Sequence, residues 1–579
     1  MRFVLAIVFV VLAALAMGLG IAERTIFAGP NQVSATTSTS DGAPVTIIDG
    51  SALNAYQSTQ TVQLSGSSSA FAAYGRTSDV RAWVGNASYT LVTFNATTGK
   101  LVSHLHKGSE STVPDPSGSD LWIGQYSGAE AGTFHLHLPS TMSVMAVSNG
   151  TTAAPTTVKL TWPLDNDVPW SGPVIAAGAI LLVIGLLLLL WAFTHLRKTR
   201  GPRRSQPRMP KLPRQQRYKP SRKALSTTKG RRSINRLVAV VPGLAISAVI
   251  LAGCTATPAP NIPTPTATPK SALTTKAQIP AVTLPQLQQI MQRISSTVAT
   301  ADDTSSSDLL STRMEGPALE QRLANYTIRK ADPKAPAPVA IPAGTLGIKL
   351  PQASNVWPRT VFVVVQNKAS ASSAAVALML VQDDPRSNYK VNYSITLQPK
   401  TPLPDVAPVY IGAAAVDPAG KLLKIPADSL AADYGDILLH DSSSPSYALF
   451  QAEGDSLRTQ VGMAAKLKQQ KSLPSTAKLT FSNVAGDGRT IALATLNSGA
   501  VVAVNLNEIE TVRPVKTGAA VSAKGGGIKA LSGKATSTKG LVATYGDQLL
   551  FFVPSAGSSG KIVLLGYSEG LIAAQEYKK

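Results

Sequence analysis

The segment RKTRGPRRSQPRMPKLPRQQRYKPSRKALSTTKGRRSINR, residues 197–236, decides how the chain is arranged. It contains 16 of the 54 lysines and arginines and no acidic residue, so most of the net charge of +22 is concentrated here. Basic segments that adjoin membrane spans remain on the cytoplasmic side. Five prolines and the lack of apolar periodicity predict a disordered loop, which lies against anionic lipid headgroups. Tyr218 is its single aromatic residue, which disfavours recognition of nucleic acid.

Three apolar segments precede or flank this loop, and the loop orients all of them. They read FVLAIVFVVLAALAMGLGIA (3–22), PVIAAGAILLVIGLLLLLWAF (173–193) and LVAVVPGLAISAVILAG (237–253). Because the loop stays inside, the second segment runs inward and the third runs back outward. We therefore expect both large regions on the extracytoplasmic face of the plasma membrane. The predicted boundaries are an anchor or signal segment (1–22), an outer domain (23–169), a transmembrane helix (170–196), the basic loop (197–236), a third membrane segment (237–254), a linker (255–280) and two further units (281–425 and 426–579).

The third segment ends in the pattern of a bacterial lipoprotein signal. Basic residues, an apolar stretch and the small residues Leu251, Ala252 and Gly253 precede Cys254, which is the only cysteine in the chain. We predict a diacylglycerol on the Cys254 thiol, whose buried methylenes each add about 0.8 kcal/mol of membrane affinity. The Pro/Thr-rich linker that follows predicts an extended spacer. Cleavage before Cys254 would divide the chain into 1–253 and 254–579. The alternative is a plain third span whose last turn ends in cysteine.

The region between the first two membrane segments has the pattern of a β-sandwich. Short strands alternate with turn residues at roughly 8–12-residue spacing, and no helical period is visible. The expected strands are Val45–Ile48, Thr61–Leu64, Val80–Val84, Tyr89–Phe94, Leu101–His106, Leu121–Tyr126, Thr133–Leu138, Met142–Val147 and Val158–Trp162.

Two pairs of histidines lie on the predicted strands. His104 and His106, and likewise His135 and His137, are two residues apart, so each pair projects from one face of its strand. If the strands were neighbours, four imidazoles could bind Zn²⁺ or Cu²⁺. The simpler interpretation is that the histidines form the polar side of amphipathic strands. Asp165-Asn166-Asp167 matches a metal-binding D-x-D pattern of glycosyltransferases, although a juxtamembrane turn explains it more simply.

The region after the linker alternates between helical and strand patterns. Thr283 is a plausible N-cap, and Leu287, Ile290, Met291, Ile294 and Val298 form one helical stripe. A second helix, with Leu319 and Leu323 buried, precedes three strands that form an antiparallel meander. Two more helices then precede a second meander, with turns at Asp487-Gly488 and Asn497-Ser498-Gly499. We predict two successive α+β units.

RMEGPALEQRLANYTIRKADP (313–333), WPRTVFVVVQ (357–366) and LVQDDPRSNYKV (380–391) resemble stretches of uncharacterised actinobacterial envelope lipoproteins. The resemblance covers 254–579 and implies tandem halves of the nuclear-transport-factor-like or cystatin-like kind. The chain then resembles a membrane-anchored β-domain protein fused to such a lipoprotein. The resemblance implies a compartment and a fold, and it includes no catalytic signature.

These features favour a non-enzymatic membrane protein that binds or scaffolds another envelope protein or polymer. Membrane lipids are the other expected partners, and no cofactor is expected besides the lipid on Cys254. The alternative is an envelope enzyme, either metal-dependent through the histidine pairs or acid/base in an α+β cone. Residues weighed for chemistry are Asp383 and Asp384 in a turn, Glu315 and Arg322 on one helix face, His440 before Asp441, and Arg359 as the partner of an acidic group.

Overall fold

The computed structural model describes residues 2–27, 29–39, 42–56, 58–67, 69–164, 169–199, 278–366 and 374–578. The chain forms two compact units, one of Met1–Ala28 with Val168–Thr275 and the other of Gly29–Asp167 with Lys276–Lys579. Several sequence predictions lie outside the described residues: the D-x-D motif, most of the basic loop, the third membrane segment, the lipobox with Cys254, and nearly all of the linker.

Helix α1 (Arg2–Thr25) opens the chain, and residues 29–164 then form the N-terminal β domain. Its elements are β1 (Gln32–Ser38), β2 (Val45–Ile48), α2 (Gly50–Leu53), β3 (Gln60–Ser65), β4 (Phe71–Arg76), α3 (Thr77–Val84), β5 (Tyr89–Asn95), β6 (Lys100–His106), β7 (Gly124–Ser127), α4 (Ala129–Gly132), β8 (Thr133–Leu136), β9 (Met142–Val147) and β10 (Thr157–Pro163).

The N-terminal β domain contains two sheets that share one core. Six strands follow the order β6-β5-β2-β9-β4-β7, and four follow the order β1-β10-β3-β8. All pairs are antiparallel except β2 with β5. Ile48 and Val144 of the larger sheet and Leu160 and Trp162 of the smaller one belong to the same buried cluster. The prediction of a domain built mainly of strands is confirmed.

The second face of the six-stranded sheet is covered by α3 and by the chain around 110–123. Val80, Trp83 and Val84 of α3 are buried there beside Trp122. The prediction of a strand at Val80–Val84 was wrong, because these three apolar residues follow the i, i+3, i+4 spacing of a helix rather than the alternation of a strand. Strands β1 and β4 were also absent from the prediction.

Helix α5 (Ser171–Thr199) follows the N-terminal β domain and packs antiparallel to α1. Both helices are long and apolar enough to cross a membrane, with a mean hydropathy of 2.9, which indicates membrane association. The contact uses small residues at seven-residue intervals: Ala6, Ala13 and Gly20 on α1, and Gly178, Gly185 and Ala192 on α5. A side chain at Gly178 would approach Met17 to 2.6 Å. Small residues allow membrane helices to pack closely where no hydrophobic effect draws them together.

Residues 278–578 form the C-terminal domain. Its elements are α6 (Leu284–Thr304), α7 (Ser307–Ser311), α8 (Gly316–Ala331), β11 (Thr345–Pro351), β12 (Arg359–Gln366), β13 (Val376–Gln382), β14 (Lys390–Leu397), α9 (Leu430–His440), α10 (Ser456–Val461), α11 (Met463–Lys471), β15 (Ala477–Ala485), β16 (Ile491–Ala494), β17 (Ala500–Pro514), β18 (Val521–Ser522), α12 (Gly525–Ser532), β19 (Thr536–Ser537), β20 (Leu541–Val553) and β21 (Val563–Glu576).

The first helix of this domain agrees with its sequence pattern. Thr283 caps α6 in a capping box with Gln286, and the five stripe residues are buried against β12 and β13. Leu319 and Leu323 of α8 are partly buried against the same cluster. Strands β12, β13 and β14 form the predicted antiparallel meander.

One nine-stranded sheet runs through the C-terminal domain. Its order is β11-β12-β13-β14-β21-β20-β17-β15, and β16 also pairs with β17. The two halves meet where Thr396 pairs with Tyr567, across the boundary predicted at 425/426. Phe362 and Tyr393 of one half share a core with Val501 and Leu550 of the other, so the half-sheets face each other. Helices α6 to α8 cover one outer face, and α9 covers the other.

The second predicted meander differs from the structure in its pairing. Strands β15 and β16 both pair with β17, β15 along its second half and β16 along its first. Asp487-Gly488 therefore interrupts one long strand rather than forming a hairpin turn, and that part of the prediction was wrong. The chain leaves the ladder around Asn505, whose side chain occupies the space that a Cβ at Gly486 would need.

Candidate functional site: the interface between the two domains

The N-terminal β domain and the C-terminal domain contact each other through buried charges. The acceptors on the β domain are Asp79, Glu110 and Asp120, and their partners on the C-terminal domain are Arg293, Arg313, Arg359 and Arg386. The residues that meet are separated by 173 to 280 positions in sequence. We call this contact the interdomain interface.

Asp79 holds one end of the interdomain interface. It lies in the first turn of α3 and is 2% exposed, and its carboxylate accepts hydrogen bonds from Arg76 at 2.7 Å and from Arg359 at 2.8 Å. Arg359 is fully buried at the start of β12, and its guanidinium lies 3.7 Å from the ring centre of Trp357. Arg76 also donates to the carbonyl oxygens of Pro280 and Ala281 at 2.8 and 2.9 Å. The expectation that Arg359 pairs with an acidic group is confirmed.

Asp120 holds the other end. Its carboxylate accepts hydrogen bonds from the guanidinium groups of Arg313 and Arg293, the latter at 3.1 Å, and from the Tyr389 amide at 2.9 Å. Its own amide donates to Asn388 Oδ1 at 2.9 Å. Asp120 is 2% exposed and Arg313 is 7% exposed, so both charges are removed from water and depend on each other.

The loop that carries Asp120 is fixed from both domains. Trp122 Nε1 donates to the Pro116 carbonyl at 2.7 Å, which closes the loop, and Trp122 is buried in the β domain. Gln286 of α6 donates to the Leu121 carbonyl at 3.0 Å. The capping box that starts α6 therefore also positions a side chain that reaches the β domain.

A third contact is made at the turn between β13 and β14. Arg386 donates to the carbonyl oxygens of Trp83 and Val84, both at 2.9 Å, and to Glu110 at 2.8 Å. Arg386 and Glu110 keep part of their surface in water, unlike the pairs at Asp79 and Asp120. Trp357 packs against the same buried cluster that contains Trp83. Apolar packing and ion pairing between the two domains therefore occur at the same place.

A second group of interacting charges lies in the other half of the C-terminal domain. Lys466 of α11 donates to Glu508 of β17 at 2.5 Å, and both side chains are buried. The fully buried Asp547 of β20 finds no hydrogen-bond donor for its carboxylate oxygens among the described residues. Burial raises the pKa of Asp547 well above its usual value, and the neighbouring Glu508 adds to the effect. Burial also raises the pKa of Glu508, although Lys466 opposes it. A proton shared by Glu508 and Asp547 would provide a hydrogen bond between the two carboxyl groups and remove one of their negative charges.

A mostly apolar cavity of about 390 Å³ lies in the same half of the domain, and its lining includes Glu510, two positions after Glu508 on β17. It opens between the end of α11 and the chain that leads into α12, and Leu479, Val512 and Leu541 contribute to its lining. Glu510 and Lys524 supply its charged groups. Burial raises the pKa of Glu510, while Lys524 lowers it. The cavity is in the size range of small-ligand sites.

The two histidine pairs are not brought together. His104 and His106 lie on β6, which contacts β1 through a hydrogen bond from Ser103 to Ser38, whereas His135 lies on β8 at the opposite edge of the four-stranded sheet. Three strand spacings separate β1 from β8, roughly 14 Å. The described residues contain no group of three or more possible ligands arranged for a metal ion. His106 instead stacks on the Tyr89 ring, and His135 hydrogen-bonds to Thr61. The condition for a four-histidine site, neighbouring strands, is not met, because His104 and His106 lie on the six-stranded sheet and His135 lies on the four-stranded sheet.

The other residues weighed for chemistry have structural partners. The Asp384 carboxylate accepts from the Arg386 amide at 2.8 Å and closes the turn, and Asp383 pairs with Arg489. Glu315 accepts from Asn392, Arg322 pairs with Asp302, and His440 pairs with Asp436 rather than with Asp441. None of these contacts joins Glu315 to Arg322.

One family model matches this chain. It describes a domain of unknown function, DUF8094, and covers residues 278–576, slightly more than half of the sequence. The chain belongs to the DUF8094 family. The match coincides with the C-terminal domain, so the four arginines of the interdomain interface lie inside the DUF8094 domain and their acidic partners lie outside it. No curated protein and no solved structure matches the chain.

Proposed function

We propose that this chain is a non-enzymatic membrane protein of the cell envelope, which holds a DUF8094 domain at the outer face of the plasma membrane to bind or scaffold another envelope component. The interdomain interface carries this proposal. This interface joins the N-terminal β domain and the DUF8094 domain into one body, which in our proposal lies outside the membrane and is anchored through α1 and α5. Because the relative positions of the two domains are fixed, together they can hold a bound partner in a defined position.

The interdomain interface also supports the proposed topology. Domains that meet through buried charges lie in the same compartment, so an even number of membrane crossings must separate them. Helix α5 supplies one crossing. The apolar segment 237–253 is the segment available for the return, and the basic residues between these two segments favour a cytoplasmic loop. We therefore propose three spans, with lipid attached to Cys254 at the end of the third.

Two further features belong to this proposal, one in the DUF8094 domain and one in the basic loop. Each half pairs helices with an antiparallel half-sheet, which suits the tandem nuclear-transport-factor-like or cystatin-like architecture of actinobacterial envelope lipoproteins. Anionic lipid headgroups are the proposed contact of the basic loop.

Single-cysteine labelling tests the topology. In a Cys254→Ser background, a membrane-impermeant maleimide should label Thr98→Cys and Ser559→Cys on intact cells, because both positions are exposed on the domain surfaces or loops. Ala224→Cys should react only after permeabilisation. Protection of Ser559→Cys on intact cells would refute the proposal. Incorporation of labelled fatty acid that is lost in Cys254→Ser tests lipidation separately.

An acid/base envelope enzyme is the second candidate, because Glu510, whose pKa is raised by burial, lines the cavity. Thermal-shift screening of the full chain against small envelope metabolites, repeated with Glu510→Gln, distinguishes the two. The enzyme would be favoured by a ligand that stabilises the chain and is then consumed, provided that the Glu510→Gln variant does not consume it.

A further inference from the structure

We infer that the interdomain interface is a protein–protein interface in its own right, so that the N-terminal β domain is the binding partner of the DUF8094 domain even without a covalent connection. Cleavage of the chain before Cys254 would then produce a bound pair rather than a free lipoprotein. The inference rests on the proposed function only in placing both domains on one side of the membrane.

The ion pairs of the interface are separated by domain, although Arg76 of the β domain also donates to two carbonyl oxygens across it. Among the described residues four ion pairs cross the interface, and in each the carboxylate belongs to the β domain and the guanidinium to the DUF8094 domain. Self-association of either domain through this face would place like charges together. An arrangement of this kind selects one partner and rejects the alternatives. It is the arrangement expected between two different proteins.

The chemistry of the contacts is that of a specific interface. All four cations are arginines, whose planar guanidinium binds carboxylates at two points and tolerates burial better than the lysine ammonium group. Arg313 uses two nitrogens on Asp120, and Arg386 binds two backbone carbonyls and one carboxylate. Buried tryptophans lie beside them. Arginine and tryptophan are the residues that dominate binding energy at protein interfaces.

The described contacts of the interface are all made by residues outside the covalent connection. Between α5 and residue 278 the chain passes through the basic loop, the third apolar segment and the Pro/Thr-rich linker, and every interface residue named above lies before 123 or after 279. The connection therefore acts by raising the local concentration of one domain near the other.

A cleavable full-length chain tests the inference. A site for a sequence-specific protease is inserted between Thr266 and Ala267, so that the released C-terminal fragment contains no membrane segment. The detergent-solubilised protein is immobilised through an N-terminal tag, cut, and washed. We expect the fragment to stay bound, also when NaCl is raised from about 0.15 M to about 1 M, because buried pairs are screened little by salt.

Matched variants show whether the described contacts are responsible. Asp120→Arg should weaken retention by at least about 30-fold, because it places a third cation against Arg293 and Arg313. Arg386→Glu should weaken it at the more exposed pair, and Glu110→Arg in the same chain should restore part of the loss. Asp115→Arg, on the same loop but exposed, should change nothing.

Two results would overturn the inference: release of the unmodified fragment on cutting, or retention that Asp120→Arg and Arg386→Glu both leave unchanged. Arg386→Glu alone affects a partly exposed pair, so it keeps the test valid if Asp120→Arg fails to fold. If only this inference failed, the maleimide would still label both domains on intact cells. If the proposed topology failed, it would not, so the labelling experiment distinguishes the two failures.

Discussion

Replacing Asp120 by alanine should strongly destabilise the unit formed by the N-terminal β domain and the DUF8094 domain. The substitution leaves Arg313 buried without its carboxylate and removes the acceptor of the Tyr389 amide. Loss of one member of a buried ion pair costs about 3–5 kcal/mol, because the remaining charge stays out of water. Arg293 is a third exposed and can turn towards solvent, so it adds little to this cost.

The expected change in melting temperature follows from the size of the cooperative unit. The two domains together contain roughly 440 residues, and an unfolding entropy of about 2.1 cal/mol/K per residue makes 1 kcal/mol worth about 1 °C. Asp120→Ala should therefore lower the melting temperature of the detergent-solubilised chain by about 3–6 °C, measured by scanning calorimetry. If the weakened domains melt separately, one transition should become two.

Two controls isolate the buried pair. Asp115→Ala removes an exposed carboxylate from the same loop, whose partner is the Ser117 amide, and should change stability by less than about 0.5 kcal/mol. A double-mutant cycle with Arg313→Ala should give a coupling energy of at least about 2 kcal/mol, because the two side chains touch. Equal melting temperatures for Asp120→Ala and Asp115→Ala would refute the reasoning.

Three further substitutions test other parts of the structure. Asp547→Asn should become progressively more stable than the parent chain as the pH rises above about 4. The pKa of Asp547 is raised in the folded state, so the folded parent binds more protons than the unfolded one and loses stability as the pH rises. An equal difference in melting temperature at every pH would contradict this. Gly178→Leu should lower the melting temperature in detergent, because a side chain there meets Met17, whereas Gly172→Leu points into open space and should not. Thr283→Ala should cost about 1 kcal/mol in thermal unfolding through loss of the N-cap hydrogen bond, and an unchanged curve would argue against that cap.

Hydrophobic spacing and capping residues predicted individual helices and strands well, but they could not predict the interdomain interface. The stripe from Leu287 to Val298 and the cap at Thr283 specify α6, because side chains three and four positions apart share a face. The helical spacing of Val80, Trp83 and Val84 extends over little more than one turn, so it is a weak signal compared with the longer stripe of α6. Arg359 could be expected to need an acid, but the acid is 280 positions earlier in the chain. Such pairs depend on tertiary placement, which no local signal encodes.

The interdomain interface also limits the surface of the DUF8094 domain to which the proposed envelope component can bind. Its arginines, carboxylates and tryptophans are already engaged within the chain, and on the DUF8094 domain they all belong to residues 280–389. The cavity near Glu510, by contrast, lies in the second half of the same domain, where α11 and the chain before α12 leave an apolar floor uncovered. Because the β domain occupies the first half, the second half is the part of the DUF8094 domain best placed to receive a ligand or partner.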